Sequence, residues 1–214
     1  MSFRRDRSIL LPSSVRLDRL QARFRPDLLR LFCHGGAILS FALVACGLSV
    51  GVWAGYLIES GNFHTVIPGQ LYRSAELSRH GFEQAIIRFH IRTVINLRGA
   101  APGHPWYEDE IAATRAAGAH HIDFRMSATH LPNSAELQEI ETMLEHTESP
   151  VLVHCQGGAD RSGLVAALYE LWIAHLPPAD AGAQLSFRFG HFPWLGSRTA
   201  AMDEAWQNVI ANGS

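Results

Sequence analysis

A cysteine and an arginine, Cys155 and Arg161, stand six positions apart in the passage 154–163, which reads His-Cys-Gln-Gly-Gly-Ala-Asp-Arg-Ser-Gly. A cysteine thiolate is a strong nucleophile, and a planar guanidinium can bind two oxygens of one phosphate group. Gly157 and Gly158 are expected to supply the positive φ angles of a tight loop. Successive backbone N–H groups in such a loop point at one spot and bind an anion there. The passage therefore predicts a phosphate-binding loop with a thiol at its base.

The flanking residues predict that this loop joins a buried strand to a buried helix. The apolar run 150–153 precedes the loop, and the apolar run 164–172 follows it. The positive end of the helix should favour the thiolate form of Cys155. Ser162 can donate a hydrogen bond to the sulfur, and His154 is expected to orient the loop through a backbone hydrogen bond. The predicted phosphate-binding residues are Gln156, Gly157, Gly158, Ala159, Asp160 and Arg161.

The whole passage resembles the phosphate-binding loop of the protein tyrosine phosphatase superfamily, in particular that of the dual-specificity phosphatases. Residues 66–75 resemble the opening strand of small bacterial members, and residues 91–98 resemble their second core strand. The resemblance covers most of residues 62–212. It implies an α/β fold with a mainly parallel central sheet and helices on both faces. It also implies a cysteine-dependent phosphatase with a phosphoenzyme on Cys155.

The substrates expected from this resemblance are phosphotyrosine or phosphoserine/threonine in proteins, or small phosphomonoesters. A thiolate and Arg161 together supply a nucleophile and charge stabilisation, so no metal or cofactor is expected. The side chains of residues 156–159 carry no positive charge, which argues against a highly phosphorylated substrate. A lipid phosphatase and a catalytically inactive phosphate-binding module are the alternatives. A sulfur-transfer enzyme of the rhodanese type is disfavoured by the Arg-Ser-Gly ending of the loop.

The proton donor for the leaving oxygen has several candidates. Enzymes of this class usually carry an aspartate on a loop before the last core helices, but the corresponding segment 126–133 contains no carboxylate. Asp160 lies within the phosphate loop, where some superfamily members are thought to use an aspartate as the acid. Asp123 precedes the nucleophile by 32 residues, a separation that resembles the family's. A structural salt bridge is the alternative role for this residue. His130 lies within segment 126–133 and can donate a proton when it is protonated. Water and the substrate are the remaining candidate proton donors.

The second informative region is a charge-free stretch from residue 35 to residue 58. As a helix, residues 37–58 would rise roughly 33 Å, which is enough to cross a bilayer core. Trp53 and Tyr56 lie near its far end, where interfacial aromatic residues belong. We therefore predict a basic segment over 1–34, a transmembrane helix over 35–58 and a catalytic domain over 62–212.

Charge predicts the orientation of this span. Eight arginines precede it and residues 59–71 contain none, so the positive-inside rule places the N-terminus in the cytoplasm. The catalytic domain would then face the periplasm of a bacterial cell, anchored in the inner membrane. A cleaved signal peptide and a lipoprotein acylated at Cys46 are the alternatives. The net charge of −2 excludes a nucleic acid as an expected partner, and the sequence leaves the oligomeric state open.

Hydrophobic patterns place the remaining elements. Strands are predicted over 70–74, 93–97 and 120–124, and helices over 81–89, 108–117, 134–146, 179–189 and 199–210. Ser78 and Ser134 are the expected N-caps, and Ser134 would lack a capping box because Leu137 stands at its third helical position. The apolar segment 190–195 is predicted to be a surface lid, and a loop packed near the site is the alternative.

Overall fold

The computed structural model describes the backbone of residues 18–212 and the side chains of residues 39–212. The predicted basic segment 1–34 therefore lies outside the described side chains. The chain divides into two compact units, Met1–Val52 and Trp53–Ser214.

The first helix, α1 (Asp18–Glu59), includes the whole of the predicted span 35–58. Its portion Leu39–Glu59 has a mean hydropathy of 1.9 and is long and apolar enough to cross a membrane by length and composition.

The second unit is built on a five-stranded sheet. Its strands are β1 (His64–Ile67), β2 (Leu71–Ser74), β3 (Thr93–Asn96), β4 (His120–Asp123) and β5 (Val151–His154). Their order across the sheet is β1-β2-β5-β3-β4. The β1–β2 pair is antiparallel and the other three pairs are parallel. The sheet is thus mixed, with an antiparallel edge strand that the sequence patterns did not predict.

Six helices follow α1 in the second unit: α2 (Arg79–Phe89), α3 (Pro105–Ala116), α4 (Ser134–His146), α5 (Asp160–Trp172), α6 (Pro178–Ala181) and α7 (Ala200–Asn212). The Ser78 cap of α2 is confirmed by a hydrogen bond from the Gly81 N–H. The continuous helix predicted over 179–189 is wrong. The four-residue α6 and two short 3₁₀ turns stand there instead. Gly182 disfavours a helix, and the site of its missing Cβ is occupied by the Trp206 ring at 2.8 Å.

The N-terminus of α4 also differs from the prediction. Asn133, not Ser134, is the N-cap, and its side chain accepts hydrogen bonds from the N–H groups of Ala135 and Glu136. The Glu136 carboxylate accepts in turn from the Asn133 N–H. A capping box is therefore present, and starting the helix one residue late had hidden it.

The two faces of the sheet are covered by different helices. Tyr72, Leu152 and Val94 share one register line and pack with residues of α2 and α3. The opposite face, which includes Leu71 and Ile95, packs against α4, α5 and α7. Strand β5 lies at the centre of the sheet and ends beside the candidate site. Its C-terminal neighbour, Cys155, stands at the edge where the parallel strands end.

Candidate active site

The predicted phosphate loop connects β5 to α5. Gly158 has φ +66°, and a Cβ on it would stand 2.4 Å from the backbone nitrogen of Ala75. Only glycine fits there, for conformational and for steric reasons. Gly157 does not adopt a positive φ, and a Cβ added to it would meet no atom within 4 Å. The expectation that both glycines supply positive φ angles is therefore wrong for Gly157.

Arg73 of β2 supports the loop from below. Its Nη2 atom lies 2.9 Å from the carbonyl oxygens of both Gly158 and Ala159, and its Nη1 atom donates to Gln184. Its guanidinium lies over the Phe189 ring at 4.3 Å. Burial lowers the pKa of Arg73 to about 10, so the group stays cationic at neutral pH.

Two further donors hold the other loop carbonyls. The Asn62 side-chain amide donates to the Gly157 carbonyl at 2.9 Å, and the Glu76 N–H donates to the Gln156 carbonyl at 3.3 Å. All four carbonyls from residue 156 to residue 159 thus bond to groups outside the cradle. Carbonyls turned outward leave the loop N–H groups free for an anion.

Cys155 and Arg161 stand at the two ends of this loop. Cys155 is 2% exposed, and its Sγ lies 3.6 Å from the Ser162 Oγ, as the sequence predicted. Arg161 Nη1 contacts the carbonyl oxygens of Leu97 and Met126 at 3.3 and 3.4 Å. Its buried Nε has no partner among the described residues. The guanidinium therefore keeps donor capacity for a bound phosphate.

The cleft above the loop has a volume of about 390 Å³. Its lining comprises Arg98, Ala101, His104, Trp106, Arg125, Gln156 and Arg161. Arg98 pairs with Glu76 and stacks 3.5 Å from the centre of the Trp106 ring. Arg125 has no carboxylate partner in the described part of the chain, and one of its nitrogens donates to the Ala100 carbonyl. Positive charge therefore reaches the cleft from outside the uncharged segment 156–159, which the sequence argument considered alone.

His154 lies beneath the nucleophile and is fully buried. Its Nε2 atom lies 2.8 Å from the Glu110 carboxylate, and the same oxygen lies 2.7 Å from His121 Nε2. Its Nδ1 atom has no partner within the described residues, in place of the expected backbone hydrogen bond. Burial alone would raise the pKa of Glu110, but the two imidazoles hold it below its usual value. Glu110 and His121 were not predicted as members of the site.

Asp160 is the first residue of α5 and its carboxylate is paired. Its Oδ1 atom lies 2.7 Å from His191 Nδ1, and His191 Nε2 lies 2.7 Å from the Asp203 carboxylate. Burial disfavours the imidazolium, but the hydrogen bonds to the two carboxylates raise the pKa of His191 above its ordinary value. His191 thus connects the end of the phosphate loop to α7.

The two other acid candidates lie elsewhere. Asp123 accepts hydrogen bonds from the Asn96 amide at 2.9 Å and from the Tyr107 hydroxyl at 2.5 Å. The bond to this carboxylate raises the pKa of Tyr107 to about 12. The register places Asp123 two strands from His154, roughly 10 Å away at ordinary strand spacing. His130 is exposed, with its Nδ1 atom 2.9 Å from the Ser127 hydroxyl.

The comparisons with known proteins agree with this geometry. A model of the tyrosine phosphatase family matches residues 54–179. The match covers more than half of the chain, and the chain belongs to that family. No curated protein sequence matches it.

Solved structures show the same fold at low sequence identity. TpbA of P. aeruginosa is 22% identical with a TM-score of 0.54, and the match covers 72% of this chain and 93% of that one. Tk-PTP in its active form is 16% identical with a TM-score of 0.52, over 68% and 97% of the two chains. The catalytic core of the PP-IP phosphatase SIW14 of S. cerevisiae is 18% identical with a TM-score of 0.51, over 71% and 92%.

Proposed function

We propose that this protein is a membrane-anchored cysteine-dependent phosphatase that hydrolyses phosphomonoesters through a phosphocysteine intermediate. The observation that supports the proposal is the phosphate loop, whose four carbonyls bond outward while Cys155 stands at its base. Inward N–H groups and the Arg161 guanidinium would bind the three non-bridging oxygens of the phosphate. These donors would also stabilise the charge of the transition state.

In the proposed first step, the Cys155 thiolate attacks phosphorus as the bond to the leaving oxygen breaks. The leaving oxygen takes one proton, and the phosphoryl group stays on Sγ. Water then attacks phosphorus, the P–S bond breaks, and inorganic phosphate leaves. Ser162, 3.6 Å from the sulfur, would donate a hydrogen bond that stabilises the departing thiolate.

We assign the proton donor in the first step to Asp160. It is the one candidate within the loop, and its carboxylate lies 2.7 Å from His191 Nδ1. In this proposal the leaving oxygen takes the proton that the His191 imidazolium shares with Asp160, so that the pair as a whole loses one proton. Asp123 already accepts hydrogen bonds from Asn96 and Tyr107, which favours a structural role for it. His130 is the remaining candidate, since its ring is exposed on the loop that follows β4.

Phosphotyrosine or phosphoserine/threonine in proteins is the proposed substrate class. The TpbA structure with phosphotyrosine supports it by analogy of fold. A lipid phosphate is the second candidate, because Leu39–Glu59 could hold the enzyme at a bilayer. The fold of PTPMT1, which has been solved with PI(5)P, is compatible with that reading. Arg125, unpaired in the described part of the chain, could attract a second anionic group of either substrate.

The proposed location is the bacterial inner membrane, with the N-terminus in the cytoplasm and the catalytic domain outside. The support is the eight arginines that precede the apolar span. A reporter that is active only in the periplasm, fused after Ser214, should be active. Activity of a cytoplasm-only reporter at the same position would contradict this orientation.

The enzyme activity is tested on the full chain in detergent with p-nitrophenyl phosphate. Cys155→Ser should abolish hydrolysis, whereas Cys46→Ser, in the exposed apolar helix, should leave it unchanged. Acid quenching of the unaltered enzyme should trap a phosphocysteine. Hydrolysis that survives Cys155→Ser, or that is lost when EDTA is added, would contradict the proposal.

A further inference from the structure

The second unit carries a contiguous aromatic surface, most of which is exposed. Trp53 stacks on Phe187 with ring centres 4.3 Å apart, Phe187 meets Phe192 at 6.4 Å, and Phe192 meets Trp194 at 5.0 Å. Leu195 extends the set and is 94% exposed, and Trp194 is 55% exposed. We call Trp53, Phe187, Phe192, Trp194 and Leu195 the aromatic surface.

Ile87, Leu131 and Leu176 are other large apolar side chains that this unit exposes. Single exposed apolar residues are ordinary on soluble proteins, whereas a contiguous patch marks a surface that contacts something apolar. The hydrophobic cores of the unit do not include the exposed rings of Phe192 and Trp194. The aromatic surface therefore indicates contact with an apolar environment outside the protein.

The apolar span that precedes Trp53 would place a bilayer next to this surface. The first 18 residues of the charge-free run 35–58 lie within a helix and rise about 27 Å, close to the thickness of a hydrocarbon core, so residues 53–58 would reach the headgroup region. Trp53 follows Val52 directly, and with the span placed in this way its ring would lie at the interfacial level that tryptophan prefers. Because Phe187 stacks on Trp53, the Phe187 ring would lie at the same interfacial level.

Two cations flank the surface in the sequence. Arg188 follows Phe187, and Arg198 stands three residues after Leu195. Both are exposed, and no carboxylate pairs with either among the described residues. Guanidinium groups beside apolar rings suit an interface in which lipid phosphates lie above acyl chains.

We infer that the aromatic surface inserts into the headgroup region of the bilayer that holds α1 and sets the orientation of the catalytic domain there. This inference rests on the proposed membrane anchoring. The segment involved, residues 190–196, also contains His191, which bonds to Asp160 at the end of the phosphate loop. The segment that contacts the bilayer would therefore be joined to the phosphate loop by the hydrogen bond between His191 and Asp160.

The test uses the full chain, one copy per nanodisc, with lipids brominated close to the headgroup. The fluorescence of Trp194 is the difference between the unaltered protein and Trp194→Phe, and that of Trp53 is obtained with Trp53→Phe. Bromolipid should lower both components by at least about twofold, because interfacial tryptophans touch the lipid chains. The matched control is Trp172, measured with Trp172→Phe, and its component should stay unquenched.

An unquenched Trp194 beside a quenched Trp53 would overturn the docking inference while leaving the span intact. Two unquenched components would contradict the membrane span as well. Because each disc holds one copy, quenching of Trp194 cannot come from burial against a second chain. Hydrolysis of p-nitrophenyl phosphate by Trp194→Phe should equal that of the unaltered protein, which separates this test from that of the enzyme activity.

Discussion

Arg73 holds Gly158 in place from a position 85 residues earlier in the chain, through a hydrogen bond of 2.9 Å from its Nη2 atom to the glycine carbonyl. The guanidinium is fully buried beneath the loop. Gly163 on α5 allows this approach, because a Cβ there would stand 3.1 Å from the same nitrogen. The shape of the phosphate loop is therefore determined by β2 as much as by the loop sequence.

Arg73→Lys should weaken phosphate binding and slow turnover, because an ammonium cannot bond to both loop carbonyls and to Gln184 in the same geometry. Each carbonyl left without a partner should cost about 1–3 kcal/mol of stability. Orthovanadate affinity, kcat and urea unfolding measure the effects. Arg92→Lys, on an exposed arginine, is the control. A variant with unchanged vanadate affinity would show that the loop keeps its shape without Arg73.

Arg161→Lys should lower kcat on the order of 10²–10³-fold, since one point charge replaces a bidentate donor to the transition state. Steady-state kinetics with p-nitrophenyl phosphate measure the loss, and urea unfolding checks that the fold is kept. A loss below about threefold would mean that this guanidinium does not bind the phosphate in the transition state.

Asp160→Asn should impair hydrolysis of alkyl phosphates far more than that of p-nitrophenyl phosphate, because nitrophenolate leaves without a proton and an alkoxide does not. Asp203→Asn removes the other carboxylate partner of His191 and keeps the Asp160 side chain, so it measures separately how much the support of His191 contributes. Asp123→Asn should change both substrates by less than roughly threefold. The leaving-group dependence in Asp123→Asn, or in His130→Ala, would move the acid role to that residue.

The His191 ion pairs should make stability depend on pH. The folded-state pKa of His191 lies above its ordinary value of 6.5 because Asp160 and Asp203 bond to the ring. The contribution of these ion pairs to the free energy of unfolding is therefore complete below pH 6.5, and it is lost as the pH rises through the folded-state pKa. The free energy of unfolding should favour the unaltered protein over His191→Gln most strongly near pH 6, and the difference should shrink by about pH 9. A difference that grows with pH would refute the cationic form of His191.

The loop and its strand and helix could be predicted because their signals are local. Cys155, Arg161 and Ser162 lie within eight residues, so their meeting depends only on one loop. Arg73 and Asn62 could not be assigned, because one sequence does not show which strands become neighbours. The one available signal was an arginine inside a predicted strand, because a buried charge requires a partner.

Two local errors have physical reasons. Strand β1 was overlooked although Pro68 and Gly69 separate it from β2, and a Pro-Gly pair after a β-branched run is a hairpin signal. The His191 pair was hidden because Asp160 and Asp203 lie on separate helices, and only their packing brings them to the same imidazole. The family resemblance located the candidate acids, but not their partners.

The central place of β5 has a consequence for the way the chain acquires its fold. Strands β2 and β3 are both made before residue 151 leaves the ribosome, yet they do not pair with each other. Each keeps an open edge until β5 inserts between them, and open edges invite pairing with other chains. The strand that leads to the nucleophile therefore also closes the sheet. A nascent chain that stalls before residue 151 should be prone to aggregate, and the active site and the completed sheet should form in the same late step.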